Sequence, residues 1–376
     1  MRRDTGRRSW VSLLFPALLL LTACAQPTST AGEAIRIGVI VPQTSGMPGA
    51  ARAVVEGAEL AVAEINADRG IHGRRLALVM ADDHGIPEDA ARLVGELAAQ
   101  GVVGIVGPLT DATAIAAAPA AERRRVVLIT PGATAPLPYG GHYVFRTALP
   151  ARTQAQALAA YLVEQLRVRR VAVVHDSNDY GTMVALAFEG AARAKGATIT
   201  GRRLFRDGEQ DFARHVQGAI NDRAQAVFLA AYPDEGVLFL RQARAVTSGL
   251  LIAGSDALYT EDTATWAGAA ANDLYVPAGF VPETPLPIVR AFVASYRDRH
   301  GRTPNQFAAQ AYDAVRVLVF ALRRAGPDRE KVRDVVGTLR RFPAVTGELS
   351  FDRWGDPVRD VIITRISGGR FITVGH

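Results

Sequence analysis

From residue 35 onward the chain alternates short, nearly continuous apolar runs with longer amphipathic stretches. Residues 35–41, 76–81, 102–106, 126–130, 171–175, 226–231 and 250–253 form the apolar runs and lack the in–out alternation of a half-exposed strand. They are predicted to be strands buried on both faces. The stretches between them carry helical periodicity. In 51–68, for example, Val54, Val55, Ala58, Val62 and Ile65 share one face and Gly70 follows as a stop. Regular strand–helix–strand order predicts an α/β fold with parallel sheets covered on both sides. The alternation is too long for one compact sheet, and its change near Leu149-Pro150 places the start of a second lobe there.

The amino-terminal segment follows a different pattern. Arg2, Arg3, Arg7 and Arg8 precede an apolar run over 11–23 that Pro16 interrupts, well short of the roughly 20 residues that span a bilayer. This reads as a secretory signal over 1–23. The run ends Leu21-Thr22-Ala23-Cys24, which resembles a bacterial lipobox, where cleavage leaves an acylated cysteine as the first residue. The alternative is an ordinary signal cut nearby, with a free or buried thiol. Residues 24–34 are polar and unpatterned, as a short tether would be. Several acyl chains together hold a protein on a membrane where one does not. The expected location is therefore outside the cytoplasm, anchored through Cys24, in the periplasm or on the outer face of the plasma membrane.

Composition narrows the function. The 376 residues include 43 Lys+Arg and 37 Asp+Glu, but four Arg and one Asp precede Cys24, which leaves a small net charge of +3 on the remainder. Nucleic-acid binding needs a basic face and has little support. Cys24 is the only cysteine, so an intrachain disulfide and a cysteine-clustered metal site are excluded. Asp82-Asp83-His84 offers metal-ligand chemistry without a second cluster of His or Cys, and is expected to be a solvated polar loop. G-x-S-x-G, H-E-x-x-H, the phosphate loop and the dinucleotide fingerprint are all missing. No catalytic machinery is visible, and neither an enzymatic activity nor a cofactor is expected.

In open parallel sheets ligands bind outside the carboxyl ends of the strands. The segments at those ends are rich in polar and turn residues: Gly107-Pro108-Leu109-Thr110-Asp111, Pro131-Gly132-Ala133-Thr134, Asp176 to Tyr180, Tyr232-Pro233-Asp234-Glu235 and Gly254-Ser255-Asp256. Together they are expected to line one cleft. The loop after the first strand contributes Met47 as its only large apolar side chain.

These segments resemble the branched-chain amino acid (leucine/isoleucine/valine) binding proteins of ABC transporters, which have the type I periplasmic binding fold. The likeness rests on IRIGVIVPQTSG (35–46), GAELAVAEINADRGIHGRRLALVMADD (57–83), VVGIVGPLTDAT (102–113), ITPGATAP (129–136), VFRTALP (144–150), VAVVHDSNDYG (171–181), LRQARAVTSGL (240–250) and GSDALYT (254–260), in order along nearly the whole exported chain. It implies two doubly wound lobes joined by three hinge crossings near Pro150, Gly279 and Gly347. The lobes would comprise 35–149 with 279–346, and 150–278 with 347–376. It also implies a receptor that binds a branched-chain type amino acid and hands it to a membrane permease; the alternative is a receptor of the same fold for amides, urea or another solute, in uptake or sensing.

The resemblance assigns roles residue by residue. Thr134 matches a hydroxyl that contacts the ligand head group, and Gly132, beside Ala133, matches a carbonyl that receives the ammonium. Asp256 matches the acidic partner of that ammonium, and Tyr180 and Tyr232 match aromatic contacts from the second lobe. Thr110 and Asp111 open a helix whose free N–H groups suit a carboxylate. Asp111 stands where the family usually has serine. Two roles stay open for it, helix N-cap or ligand contact, and the second points to a ligand with an extra cationic or amide group.

Overall fold

The computed structural model describes residues 33–45 and 47–375, together with Met1. The signal segment, Cys24 and most of the tether lie outside the described residues. Among the described residues, no helix is long and apolar enough to cross a membrane.

Strands β1 (Ile35–Val41), β2 (Leu76–Asp82), β3 (Gly104–Val106), β4 (Val127–Thr130) and β5 (Val144–Arg146) form a first sheet in the order β2-β1-β3-β4-β5. All its pairings are parallel. Helices Pro48–Ala67 and Gln306–Ala325 cover one face, and Pro87–Ala99 and Asp111–Arg124 cover the other. The first pair approaches so closely that a Cβ on Gly57 would stand 2.1 Å from the Ala308 carbonyl oxygen, so only glycine fits there.

The second sheet contains β6 (Arg170–Asp176), β7 (Thr198–Phe205), β8 (Ala226–Ala230), β9 (Leu251–Gly254) and β10 (Leu274–Ala278). A small antiparallel sheet follows, made of β11 (Phe342–Ala344), β12 (Gly347–Phe351) and β13 (Pro357–Val358). The last strands, β14 (Ile362–Ser367) and β15 (Arg370–Gly375), then complete the second sheet in the order β15-β14-β10-β9-β8-β6-β7. These two strands run antiparallel to their neighbours, so the expectation of purely parallel sheets holds for the first sheet only.

The chain changes lobe three times. Leu149 and Ala151 belong to the second core while Phe145 belongs to the first. Ala278 ends β10 of the second sheet, and Phe280 packs in the first core. The third change falls later than the Gly347 expected from sequence. Leu349 and Phe351 pack in the first core, with Phe351 against Phe145 at 5.1 Å between ring centroids, and Asp356 pairs with Arg146 at 2.6 Å. The chain enters the second core only at Val361. The small sheet therefore stays with the first lobe, because its apolar residues fill that core.

One helix gathers the crossings. Gln306, Gln310 and Asp313 are spaced along one face of Gln306–Ala325. The Gln306 side chain accepts from the Gly279 N–H at 3.4 Å, and the Gln310 carbonyl accepts from the Thr147 hydroxyl at 2.9 Å. The Asp313 carboxylate accepts from the N–H groups of Val345 and Thr346. Arg359, on the third crossing, donates to the carbonyls of Gly279 (2.8 Å), Thr346 (2.8 Å) and Thr147 (3.2 Å). One guanidinium thus ties all three crossings together.

Candidate functional site

Each sheet presents its carboxyl edge to the space between the lobes, where a cleft of about 840 Å³ opens. That is within the range of small-molecule sites, several hundred to about a thousand Å³. Three of its walls are strand-to-helix turns. Thr110 caps helix Asp111–Arg124 by accepting from the Thr113 N–H at 3.3 Å, and Asn178 caps Asp179–Ala194 by accepting from the Gly181 N–H at 2.8 Å. Tyr232 precedes Pro233 at the start of Pro233–Val246, where a missing N–H costs nothing.

The structure brings Thr110, Asp111, Gly132, Thr134, Tyr180, Tyr232 and Asp256 to the lining of this one cleft. Ala133 is not among them. It is fully buried, and its carbonyl accepts from Arg146 at 3.2 Å.

The turn after β4 is held from three sides. The Thr130 hydroxyl donates to the Pro108 carbonyl at 2.6 Å and accepts from the Ala133 N–H at 3.1 Å. Arg146, 2% exposed, donates to the carbonyls of Ala133 and Ala135 from behind and is itself fixed by Asp356. A Cβ on Gly132 would stand 2.4 Å from the Leu109 carbonyl oxygen, so this turn excludes a side chain there. On the cleft side, the Asp111 carboxylate accepts from the N–H groups of Thr134 at 2.6 Å and Ala135 at 2.9 Å. The N-cap is therefore Thr110. Asp111 is the first helical residue, and its carboxylate is bonded to the neighbouring strand's turn.

Across the cleft, Tyr180 donates its phenol to one Asp256 oxygen at 2.7 Å, and Gln154 donates to the other at 3.2 Å. The Tyr180 and Tyr232 rings stack with centroids 5.2 Å apart and 24° between planes. Burial pushes the Asp256 carboxyl up to about 6 against the lowering effect of the Tyr180 bond, and Asp111 adds to the rise. Shelter within the cleft, followed by the charges of Asp111, Asp256 and Asp176, pushes the Tyr232 phenol up to about 12. The site is anionic, and it favours a proton or another cation.

Two of its residues gave no local signal. Gln154 lies four residues into an Ala-rich helix and reaches Asp256 across 102 positions. Arg146 ends a three-residue strand and acts through its turn contacts. The Asp82-Asp83-His84 loop does not line the cleft, and no metal-holding cluster occurs among the described residues. Asp83 alone departs from the expected solvated loop: it is fully buried with one oxygen accepting from the Gly85 N–H at 3.1 Å, while His84 is exposed and Asp82 partly so.

The sequence and the fold are similar to those of known proteins. The family profile described as periplasmic binding protein matches residues 34–370. A Leu/Ile/Val-binding protein, BraC3 of Rhizobium johnstonii, is 29% identical over 327 residues, covering 86% of this chain and 88% of that protein. An ABC transporter substrate-binding protein from Desulfitobacterium hafniense superposes with a TM-score of 0.81 at 30% identity, covering 91% of this chain and all of the other. A substrate-binding protein from the same organism, solved in complex with Leu, gives 0.79 at 29% identity over the same shares. The chain belongs to the periplasmic binding protein family, as a type I solute-binding protein of the ABC-transporter class and not an enzyme.

Proposed function

We propose that this protein captures a small solute bearing a protonated amine, closes its lobes over it, and delivers it to the membrane permease of an ABC importer. The observation that carries this is Asp256, a carboxylate facing the cleft, oriented by Tyr180 and Gln154 and set across from the Thr134 and Gly132 turn. Relatives named for leucine, isoleucine and valine supply the starting class, amino acids and their derivatives. Three crossings between two separately cored lobes suit hinge closure.

A thermal-shift screen of the purified protein against amino acids, their amides and simple amines tests this reading. A ligand at a hundred times its Kd adds about 2.7 kcal/mol to stability. For a chain of this size that corresponds to about 4 °C, and we expect at least one compound to raise the melting temperature by that much; a screen in which none does contradicts the reading.

The anchor belongs to the same proposal. The sole cysteine stands directly after Leu21-Thr22-Ala23, so Cys24→Ser is expected to remove the protein from the membrane fraction without changing its ligand-induced thermal shift. Acylated, membrane-bound Cys24→Ser protein would refute the anchor.

A further inference from the structure

We propose that the ligand is a small organic cation with no free carboxylate, and that Asp111 enforces this choice. The inference rests on the receptor reading above and specifies the charge of its ligand.

A zwitterionic amino acid needs donors for its carboxylate as well as an acceptor for its ammonium. The backbone donors on the β4 side are the Thr134 and Ala135 N–H groups, and both already donate to Asp111 Oδ1, at 2.6 and 2.9 Å, which leaves the Thr134 hydroxyl as the donor there. A ligand carboxylate would have to displace that oxygen and then lie against the same side chain. The wider cleft gives it no countercharge: Asp111, Asp179 and Asp256 line it, and among the lining residues there is no Lys, Arg or His, so only neutral hydroxyls and amides could face a carboxylate. Arg146, the cation behind the turn, is 2% exposed and engaged by Asp356 and two carbonyls.

Spare acceptors make the same case from the other wall. Gln154 lines the cleft, is 4% exposed, and spends its amino group on the Leu149 carbonyl and Asp256. Its Oε1 is buried with no hydrogen-bond partner among the described residues. An unmatched buried acceptor calls for a donor, which the ligand's ammonium or amide N–H supplies. The Tyr232 ring, 46% exposed beside Tyr180, adds an electron-rich face on which a cation can rest. Rejection of anions by a fixed carboxylate is selectivity through a repulsive element.

Calorimetric titration of the purified protein at pH 7 with matched pairs, each apolar amino acid and its carboxamide, tests the proposal, with 3-methylbutylamine and 4-methylpentanoate as amine-only and acid-only probes. In at least one pair the amide should bind tenfold or more tighter than the free acid, and 4-methylpentanoate should not bind. Asp111→Asn keeps an acceptor for both N–H groups and removes the charge; it should shrink the amide preference at least tenfold. Free acids that bind as well as their amides would overturn the proposal and leave the receptor reading standing. An unchanged preference in Asp111→Asn would overturn the role of Asp111. If no amine, amide or acid binds, the receptor reading fails and this inference fails with it. The wild-type comparison decides the charge of the ligand even if the variant does not fold.

Discussion

Asp256→Asn is expected to make the unliganded protein more stable at pH 7 while removing its ligand affinity. The Asp256 carboxyl is held near 6 in the fold, against 3.8 when exposed. The folded state therefore binds this proton more tightly than the unfolded chain does, so ionisation at neutral pH works against folding. The stabilising contribution of the protonated form is fully present below about pH 4 and is lost as pH rises through about 6. A difference of that size is worth about 3 kcal/mol. Because Asp256 faces cleft water, screening lowers this, and we expect the asparagine to recover about 1–2 kcal/mol, read as a higher melting temperature at pH 7 that converges with wild type near pH 4. Binding moves the other way. Truncating one partner of a buried charge pair costs about 2–5 kcal/mol, or about thirtyfold to several thousandfold in affinity. Wild-type affinity for a cation should also weaken below pH 6, by up to about tenfold per pH unit, as Asp256 becomes neutral.

The second large effect is expected at Arg359. Its guanidinium reaches carbonyls on Thr147, Gly279 and Thr346, and burial lowers its pKa to about 10, with Asp313 the opposing influence. Arg359→Met leaves three buried carbonyls without their donor, while Asp313 keeps Arg316 at 3.7 Å. Removing one member of a buried charged network costs about 3–5 kcal/mol, which should appear as a lower urea midpoint. Arg359→Lys should recover little of it, because one ammonium does not reproduce the guanidinium's planar fork. A loss under about 1 kcal/mol in Arg359→Met would show that the crossings are held by the Gln306–Ala325 helix alone.

The parts of the fold legible in the sequence are those whose pattern is local. β8 is an unbroken apolar run, and β1 is one broken by a single charged residue, Arg36, because both their faces are largely covered, and that burial is what the sequence records. β7 was not legible. It is an edge strand with most of its residues at least partly exposed, and Arg202 and Arg203 reach Glu189 and Asp222 rather than a core. β11 and β13 carry no period because they have three and two residues, and the five of β12 (Gly347–Phe351) are too few to place it with either core, so the third crossing falls later than its sequence position suggests. In the site, the strand ends pointed to Thr134, Tyr180 and Asp256, since the carboxyl edge of a parallel sheet is where turns converge. The bond from Asp111 to residues 23 and 24 positions away is set by the spacing of β3 and β4, which no local pattern encodes.

On this reading the cleft holds an amine on Asp256. Calorimetric titration of wild type and Asp256→Asn at pH 7, with the compound that most raises the wild-type melting temperature, tests it directly. We predict saturable one-to-one binding to wild type and at least about a thirtyfold loss in a variant that melts no lower than wild type. Equal affinity in the two proteins would contradict the claim.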